Sequence, residues 1–208
     1  MILCRENNEA RIIVVADGIS SCKNALQGAQ LACKVAANAL LGETQFLFSL
    51  APAVIASLIL ENIKRELRTL SLVTSQSEQS YSSTLSFVCF NKHSEQVMLF
   101  VLGNSFIYAL SQNGISPVCL PDEAGAKLTP CTTTKGAEQC TKVEILAKGS
   151  PAYLIASDGA WRCFYQRGIW DPSFLTAVKK NCLQQFLKNN CCEDDCSIVI
   201  MNTKENET

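Results

Sequence analysis

The sequence predicts an α+β domain with mostly antiparallel sheets, because its periodic segments are sorted by type. Two helical patterns follow the first strand, a run of segments with a period of two comes next, and a helix and a strand end the chain. Such sorting differs from the regular βαβ alternation that builds a parallel sheet. The 208 residues, 48% hydrophobic and 18% charged, can bury one large core. We therefore expect a single domain over 1–208 with a polar tail at 203–208.

One buried strand and two helices are predicted before the polar stretch that begins at about residue 71. The apolar and mostly β-branched stretch 12–16 favours a buried strand. Residues 24–41 carry alanine and leucine at helical spacing, which predicts an amphipathic helix. Pro52 suits the first turn of a second helix, whose apolar stripe continues to about residue 70. We interpret the apolar stretch 46–60 as core helix.

Strand patterns dominate the middle of the chain. Apolar segments at 83–90, 97–103 and 106–110 are joined by polar turns, which predicts a meander of antiparallel strands. Asn113 and Gly114 form a hairpin signal that leads into a further strand.

The last third of the chain is expected to complete the sheets and one helical layer. Apolar stretches predict strands at 141–148 and 152–157. A helix is predicted to begin at Asp171, with a proline in its first turn, and to run to about Asn189 before the closing strand.

Charge and hydropathy argue against nucleic-acid and membrane partners. The formal net charge is -1, and the lysines and arginines are scattered along the chain. The apolar stretch 46–60 is too short to span a bilayer, and the N-terminus lacks the apolar core of a signal peptide. We therefore expect a cytoplasmic protein.

The 12 cysteines are predicted to be free thiols in a reducing compartment. Several lie inside apolar strand or helix patterns, and no C-x-x-C pair occurs. The CCEDDC cluster at 191–196 is the alternative, a soft-metal site. Four tetrahedral ligands are normally needed for such a site, which makes this reading the weaker one.

Three aspartates share one setting, the rim of a strongly apolar strand. Asp17 follows IIVVA, Asp158 follows YLIAS, and Asp194 precedes CSIVIM. If the three strands are neighbours, the carboxylates converge and repel one another, and a divalent cation such as Mg²⁺ or Mn²⁺ relieves that repulsion. The alternative is that each aspartate is a turn residue or a helix cap, since Asp-Gly is a common turn pair.

Five motifs in order resemble the metal-dependent type 2C protein phosphatases, the PPM family, over nearly the whole chain. The motifs lie at 15–21, 83–85, 101–110, 154–161 and 194–200. The resemblance implies a four-layer αββα sandwich of two mainly antiparallel sheets flanked by helices. It also implies two Mn²⁺ or Mg²⁺ ions between the sheets and a metal-activated water that hydrolyses phosphoserine or phosphothreonine in a protein substrate.

The resemblance also implies a set of metal ligands. Asp17 matches the aspartate that bridges both ions, and Gly18 matches the glycine that offers its carbonyl oxygen. Asp158 and Asp194 match the remaining ligands of the first ion. The attacking group is water, so no side chain is assigned as a catalytic residue, and no phosphate-binding residue is assigned.

The chain departs from the family pattern at three places. The family's N-terminal strand, with its arginine and Asn-Glu-Asp-like segment, has no match, so the domain is expected to be short at its N-terminus. The family's Gly-Asp-Ser is Gly103-Asn104-Ser105 here, which puts a third metal ion in doubt. Ile19 stands where some members have a histidine that acts as a general acid, and His93 is expected to be an exposed bystander.

Two functional hypotheses follow. The first is a metal-dependent protein serine/threonine phosphatase. The alternative is a catalytically impaired phosphatase-like module that binds phosphoproteins or has a regulatory role. A third reading, an α+β domain with three unrelated aspartate turns, predicts no binding of divalent metal ions.

Overall fold

Two antiparallel sheets face each other in the computed structural model, which describes residues 1–111, 114–119, 129–166, 169–180, 182–190 and 197–203. The α-helices within these ranges are α1 (Ala25–Gly42), α2 (Thr44–Phe48), α3 (Pro52–Thr74), α4 (Asp158–Trp161), α5 (Pro172–Lys179) and α6 (Leu183–Asn190). The strands are β1 (Ile2–Glu6), β2 (Ala10–Val15), β3 (Leu85–Asn91), β4 (Val97–Leu102), β5 (Phe106–Ser111), β6 (Gly114–Cys119), β7 (Lys142–Leu146), β8 (Ala152–Ala156), β9 (Tyr165–Gln166), β10 (Ile169–Trp170) and β11 (Ile198–Asn202). Short 3-10 helices span Glu78–Tyr81 and Ala137–Cys140.

The two main sheets are antiparallel throughout. The first has the strand order β1-β2-β3-β4-β7, and the second has the order β11-β8-β5-β6. Alternate residues of each strand point into the space between the sheets, as the pleat requires. These inward side chains form a common apolar core that includes Val15, Leu99, Ile107 and Ile155.

Helices cover the outer face of each sheet. The alanine-rich face of α1 and the apolar stripe of α3 pack on the first sheet. Phe174 of α5 and Phe186 of α6 pack on the second sheet, against Tyr108 and Leu154. The layers therefore follow the order helix, sheet, sheet, helix, and the predicted αββα sandwich is confirmed.

The stretch 46–60 is not one core helix, which corrects the prediction. Helix α2 ends at Phe48, and α3 begins at Pro52 after an extended Ala51. A proline has no N–H group and its ring clashes with the carbonyl four residues earlier, so the helix cannot run through Pro52. No helix within the described ranges is both long and apolar enough to cross a bilayer.

The predicted single meander is also wrong, because the chain changes sheets between β4 and β5. Strand β4 pairs with β3 and β7, whereas β5 pairs with β6 and β8. The change occurs at Gly103, whose φ of 111° lies in the region that favours glycine. Period-two patterns are the same in either sheet, so they do not reveal the switch. Asn113 of the predicted hairpin lies outside the described residues.

The helix predicted from Asp171 to about Asn189 is two helices. Its start is confirmed, since Asp171 Oδ1 accepts a hydrogen bond from the backbone N–H of Ser173 at 2.7 Å. Helix α5 ends at Lys179, and the backbone N–H of Cys182 bonds to the carbonyl of Ala177. Apolar residues recur at helical spacing on both sides of the break. A prediction from periodicity alone therefore treats the two helices as one.

The nine cysteines within the described ranges are all free thiols, as predicted for them. Burial raises the pKa of the Cys33 thiol to about 11 and that of Cys89 to about 12, so these two behave as small apolar core residues. The CCEDDC cluster at 191–196 lies outside the described residues.

Candidate metal centre

Asp17 follows β2 of the first sheet, and Asp158 follows β8 of the second sheet. Both residues lie at the same end of the sandwich. At the opposite end, Arg11 Nη1 at the start of β2 donates a hydrogen bond to the carbonyl of Asn202 at 2.6 Å. Asn202 pairs with Ala152, the first residue of β8. Strands β2 and β8 therefore start side by side, so the residues that follow their far ends also share one end of the sandwich.

Thr84 holds the backbone of Asp17. Its N–H donates to the Asp17 carbonyl at 2.8 Å, and its hydroxyl accepts from the Asp17 N–H at 3.0 Å. Thr84 is 3% exposed, so these bonds are shielded from solvent. Asp17 is two residues beyond Val15 and falls on the same face of the strand, the face that meets the second sheet. Its half-buried carboxylate is thus carried by a fixed backbone.

Gly18 has a backbone carbonyl that strand pairing leaves available. The hydrogen bonds on either side of its bridge with Ser83 use the Asp17 carbonyl and the Ile19 N–H. Among the described residues, no group donates to the Gly18 oxygen. A Cβ at this position would lie 2.7 Å from the Cβ of Ala25, so only glycine fits beside the start of α1.

The turn Gly103–Ser105 connects the two sheets at this end. A Cβ on Gly103 would lie 2.6 Å from Thr84 Cγ2, so the turn contacts the residue that holds Asp17. On its other side, the carbonyl of Asn104 accepts a hydrogen bond from Trp161 Nε1 at 2.9 Å. The turn therefore joins the surroundings of Asp17 to the helix that begins with Asp158.

Asp158 opens the short helix α4 directly after β8. Its side chain is 17% exposed, and Oδ2 lies 3.4 Å from Arg162 Nη2, one helical turn later. The guanidinium of Arg162 also lies 5.6 Å from the centre of the Trp161 ring. The carboxylate of Asp158 is therefore paired with the guanidinium of Arg162.

The start of β11 is fixed beside Asp158. The N–H of Ser157 donates to the carbonyl of Ser197 at 2.9 Å, and the Ser157 hydroxyl accepts from the Ser197 N–H at 3.0 Å. Asp194 lies outside the described residues. The sequence places it three residues before Ser197.

The structure also shows where the residues that depart from the family pattern lie. His93 is exposed in the turn between β3 and β4, whose Lys92 N–H bonds to the carbonyl of Glu9. That turn lies at the opposite end from Asp17, and the predicted exposure of His93 is confirmed. Asn104 and Ile19 lie at the same end as Asp17.

The structure brings the ends of β2 and β8, which carry Asp17 and Asp158, to one end of the sandwich. The backbone carbonyl of Gly18 lies at the same end. The residues that the structure describes contain no cluster of three or more His, Cys, Asp or Glu side chains with metal-binding geometry. The donors present at this end, two carboxylates and a carbonyl, are hard oxygen ligands of the kind that Mg²⁺ and Mn²⁺ prefer. These residues fit such an ion.

Sequence reasoning missed the residues that support these donors. Thr84 was assigned only as the start of a strand, although its hydroxyl anchors Asp17. Arg162 was not considered, although an acid and a base four residues apart on a helix are neighbours. That spacing was the signal that could have found it.

Solved structures of similar fold include several phosphatases. The Mycobacterium tuberculosis serine/threonine phosphatase PstP/Ppp is 11% identical, with a TM-score of 0.62 over 98% of this chain and 92% of that one. RsbX in complex with magnesium is 16% identical, with a TM-score of 0.58 over 96% and 84%. A stage II sporulation E family protein from Thermanaerovibrio acidaminovorans is 13% identical, with a TM-score of 0.55 over 97% and 100%. Similarity at this level shows a shared fold.

The sequence itself identifies the family. A search of the curated proteins finds no match. The family model for protein phosphatase 2C, however, matches residues 2–190. Since this match spans most of the sequence and the observed sandwich agrees with it, the chain belongs to the protein phosphatase 2C family, the PPM-type serine/threonine phosphatases.

Proposed function

We propose that this chain is a Mn²⁺- or Mg²⁺-dependent phosphatase that hydrolyses phosphoserine and phosphothreonine in proteins. The observation that carries the proposal is the emergence of Asp17 and Asp158 at one end of the sandwich. Family membership supports a phosphatase, and the carboxylates and the carbonyl at this end of the sheets are oxygen groups of the kind that bind such ions.

Four residues would hold the metal ions. Asp17 would bind two ions, Gly18 would contribute its carbonyl oxygen, and Asp158 with Asp194 would complete the first ion's ligands. When bound, the ions supply Lewis acidity, which lowers the pKa of the attacking water and offsets charge on the phosphoryl oxygens. Thr84 keeps Asp17 in position during this chemistry, because its hydroxyl and N–H fix both polar groups of the Asp17 backbone.

The leaving oxygen of the substrate would take its proton from solvent. Ile19 replaces the histidine that some family members use, and His93 lies at the far end of the sandwich. The free cysteines within the described ranges support a reducing compartment such as the cytoplasm for this activity.

Hydrolysis of p-nitrophenyl phosphate tests the proposal. We expect Mn²⁺-dependent turnover by the wild-type chain and a loss of about a hundredfold or more in Asp158→Asn, which removes one ligand charge. Asp171→Asn is the matched control. Asparagine is as good an N-cap as aspartate, so this variant should retain full turnover. A folded wild-type chain without turnover at any metal concentration would refute the proposal.

A phosphoprotein-binding module is the second candidate function. It is favoured by the small ligand set of the second ion: within the described ranges, the only residues that we assign to that ion are Asp17 and Gly18, and Asp17 is shared with the first ion. Such a module would bind a phosphoserine peptide with metal present and release no phosphate. Measuring peptide binding and phosphate release on the same sample separates the two functions.

A further inference from the structure

A buried serine hydroxyl faces the space between the two sheets near Asp17. Ser86 lies in β3 between Val15 and Val101, whose side chains belong to the apolar core between the sheets. Ser86 is 1% exposed, and its hydroxyl oxygen has no hydrogen-bond partner among the described residues. An unpaired hydroxyl in an apolar core is destabilising, and alanine or valine would avoid that cost at this position. The Ser86 hydroxyl therefore needs a partner that the described side chains do not supply.

Ser105 is a second serine of this kind and belongs to the other sheet. It directly precedes β5, in which Phe106 packs on the helix side of the sheet and Ile107 packs between the sheets. Successive side chains of a strand alternate between its faces, so Ser105 shares the inner face with Ile107. Ser105 is also 1% exposed, and its hydroxyl has no partner within the described ranges.

The two serines lie at the same end of the sandwich as the candidate metal centre. Ser86 pairs with Val15, and Asp17 is two residues further along β2, so Asp17 is a diagonal neighbour of Ser86 on the same face. The register of β5 with β8 places Ser105 beside the end of β8, just before Asp158. One serine therefore approaches the centre from each sheet.

A single water molecule fits between the two hydroxyls. Strand β3, which carries Ser86, contacts β8 across the sandwich, and β8 is the neighbour of β5. Facing sheets lie about 10 Å apart, and one water with two hydrogen bonds of about 2.8 Å spans about 5.6 Å of that distance, so the two short serine side chains can cover the rest. A buried water typically makes about three hydrogen bonds, and the carboxylate of Asp17 on the same face is suited to be its third partner.

We propose that Ser86 and Ser105 are positioning residues, which hold one buried water that hydrogen-bonds to the Asp17 carboxylate and keeps it aimed at the metal ions. Both serine hydroxyls donate to the water oxygen, and the water donates one hydrogen to the carboxylate. This inference rests on the proposed function, since it assigns a role toward ions bound at Asp17. Groups that orient a metal ligand in this way are typically worth tenfold or more in metal affinity.

Isothermal titration calorimetry with Mn²⁺ on Ser86→Ala, Ser105→Ala and the double variant tests the shared water. We expect each single variant to bind Mn²⁺ about tenfold more weakly than the wild type, because Asp17 loses the group that orients it. The double variant should also be only about tenfold weaker, because either substitution already removes the same water. Losses that multiply to about a hundredfold in the double variant would overturn the shared water.

Ser83→Ala is the matched control. Ser83 is also fully buried, and its hydroxyl has no partner among the described residues. It lies three positions before Ser86 in the same register, so its side chain is on the opposite face, toward the helices. The Mn²⁺ affinity of this variant should be unchanged. Circular dichroism and thermal melts confirm that each variant is folded.

A crystal structure of the metal-free wild type gives a second readout that does not depend on activity. A water within hydrogen-bond distance of both serine oxygens and the Asp17 carboxylate supports the proposal, whereas an apolar contact or a direct serine–serine bond at this place overturns it.

The binding data also separate this inference from the proposed function. Mn²⁺ affinity that is unchanged in Ser86→Ala, or equally weakened in Ser83→Ala, would refute the positioning role and leave the phosphatase standing. Serine-dependent Mn²⁺ binding by a wild-type chain that does not hydrolyse p-nitrophenyl phosphate would refute the phosphatase and keep the positioning role. A folded wild type that binds no Mn²⁺ would overturn both.

Discussion

Gly28 offers a direct test of how closely α1 approaches the segment that carries Thr84. A Cβ added at Gly28 would lie 1.8 Å from the carbonyl oxygen of Tyr81 and 2.5 Å from its carbonyl carbon. Cβ atoms almost never come within 3.0 Å of such atoms, and here the neighbour is backbone that cannot rotate away. In Gly28→Ala, helix and segment must therefore separate by about 1 Å, a shift of the size that overpacking imposes on cores.

Two effects of opposite sign decide the outcome of Gly28→Ala. Alanine in a helix interior is favoured over glycine by about 1 kcal/mol. Overpacking a tight contact costs about 3 kcal/mol when the backbone has to move. The net effect is a loss of about 2 kcal/mol, which lowers Tm by about 4–8 °C in a chain of this size. Because Tyr81 leads directly into Ser82–Thr84, we also expect weaker Mn²⁺ binding.

Gly42→Ala in the same helix is the matched control. Nothing lies within 4 Å of the position where its Cβ would be, so only helix propensity acts. We expect its Tm to rise by about 1–3 °C, less than for a central helix position. Thermal melts followed by circular dichroism compare both variants with the wild type. If Gly28→Ala is as stable as Gly42→Ala, the close approach of α1 to Tyr81 is refuted.

Two further predictions concern Thr84 and Glu6. Thr84→Val keeps the shape of the side chain and loses the hydroxyl that bonds to Asp17, so it should lower the free energy of unfolding by about 1–2 kcal/mol and weaken Mn²⁺ binding. Thr84→Ser keeps the hydroxyl and loses a buried methyl group, so it should lower the free energy of unfolding by about 1 kcal/mol and leave Mn²⁺ binding unchanged. Equal Mn²⁺ affinities in the two variants would contradict the anchoring role. Hydrogen bonds from Arg11 and Lys92 lower the pKa of Glu6 from 4.5 to about 2. The folded pKa is the lower one, so this stabilisation is present above about pH 4.5 and is lost as the pH falls toward 2. Glu6→Gln should therefore melt below the wild type at pH 7, and the difference should shrink over that range; a difference independent of pH would refute the ion pairs.

Local patterns predicted most of the helices and strands because their causes are local. Pro52 and Asp171 start helices in the structure as they do in the sequence, since a proline in the first turn and an N-cap act within a few residues. The sheet switch at Gly103 and the break after Lys179 were missed, because the apolar period is unchanged across both. Their positions depend on which distant strand or helix packs against each segment.

The candidate site was predictable in part. Asp17, Gly18 and Asp158 stand out because each follows a strongly apolar strand, and their common end of the sandwich agrees with that reasoning. The role of Thr84 was not predictable from its own segment, because its partner is 67 residues away in the chain. Asp194 lies outside the described residues and stays a prediction.

The crossover at Gly103–Ser105 also determines when this protein can assemble during synthesis. Strand β4 pairs with β7, and β5 pairs with β8. In both sheets, a strand therefore pairs with a partner that is synthesised much later. Such long-range pairing gives a high contact order, which is typical of slow folding. Asp17 therefore emerges from the ribosome long before Asp158 and the strand beside it exist. We expect the candidate metal centre to be among the last parts to form, so that a nascent chain that stops before β8 would carry α1 and α3 without Asp158.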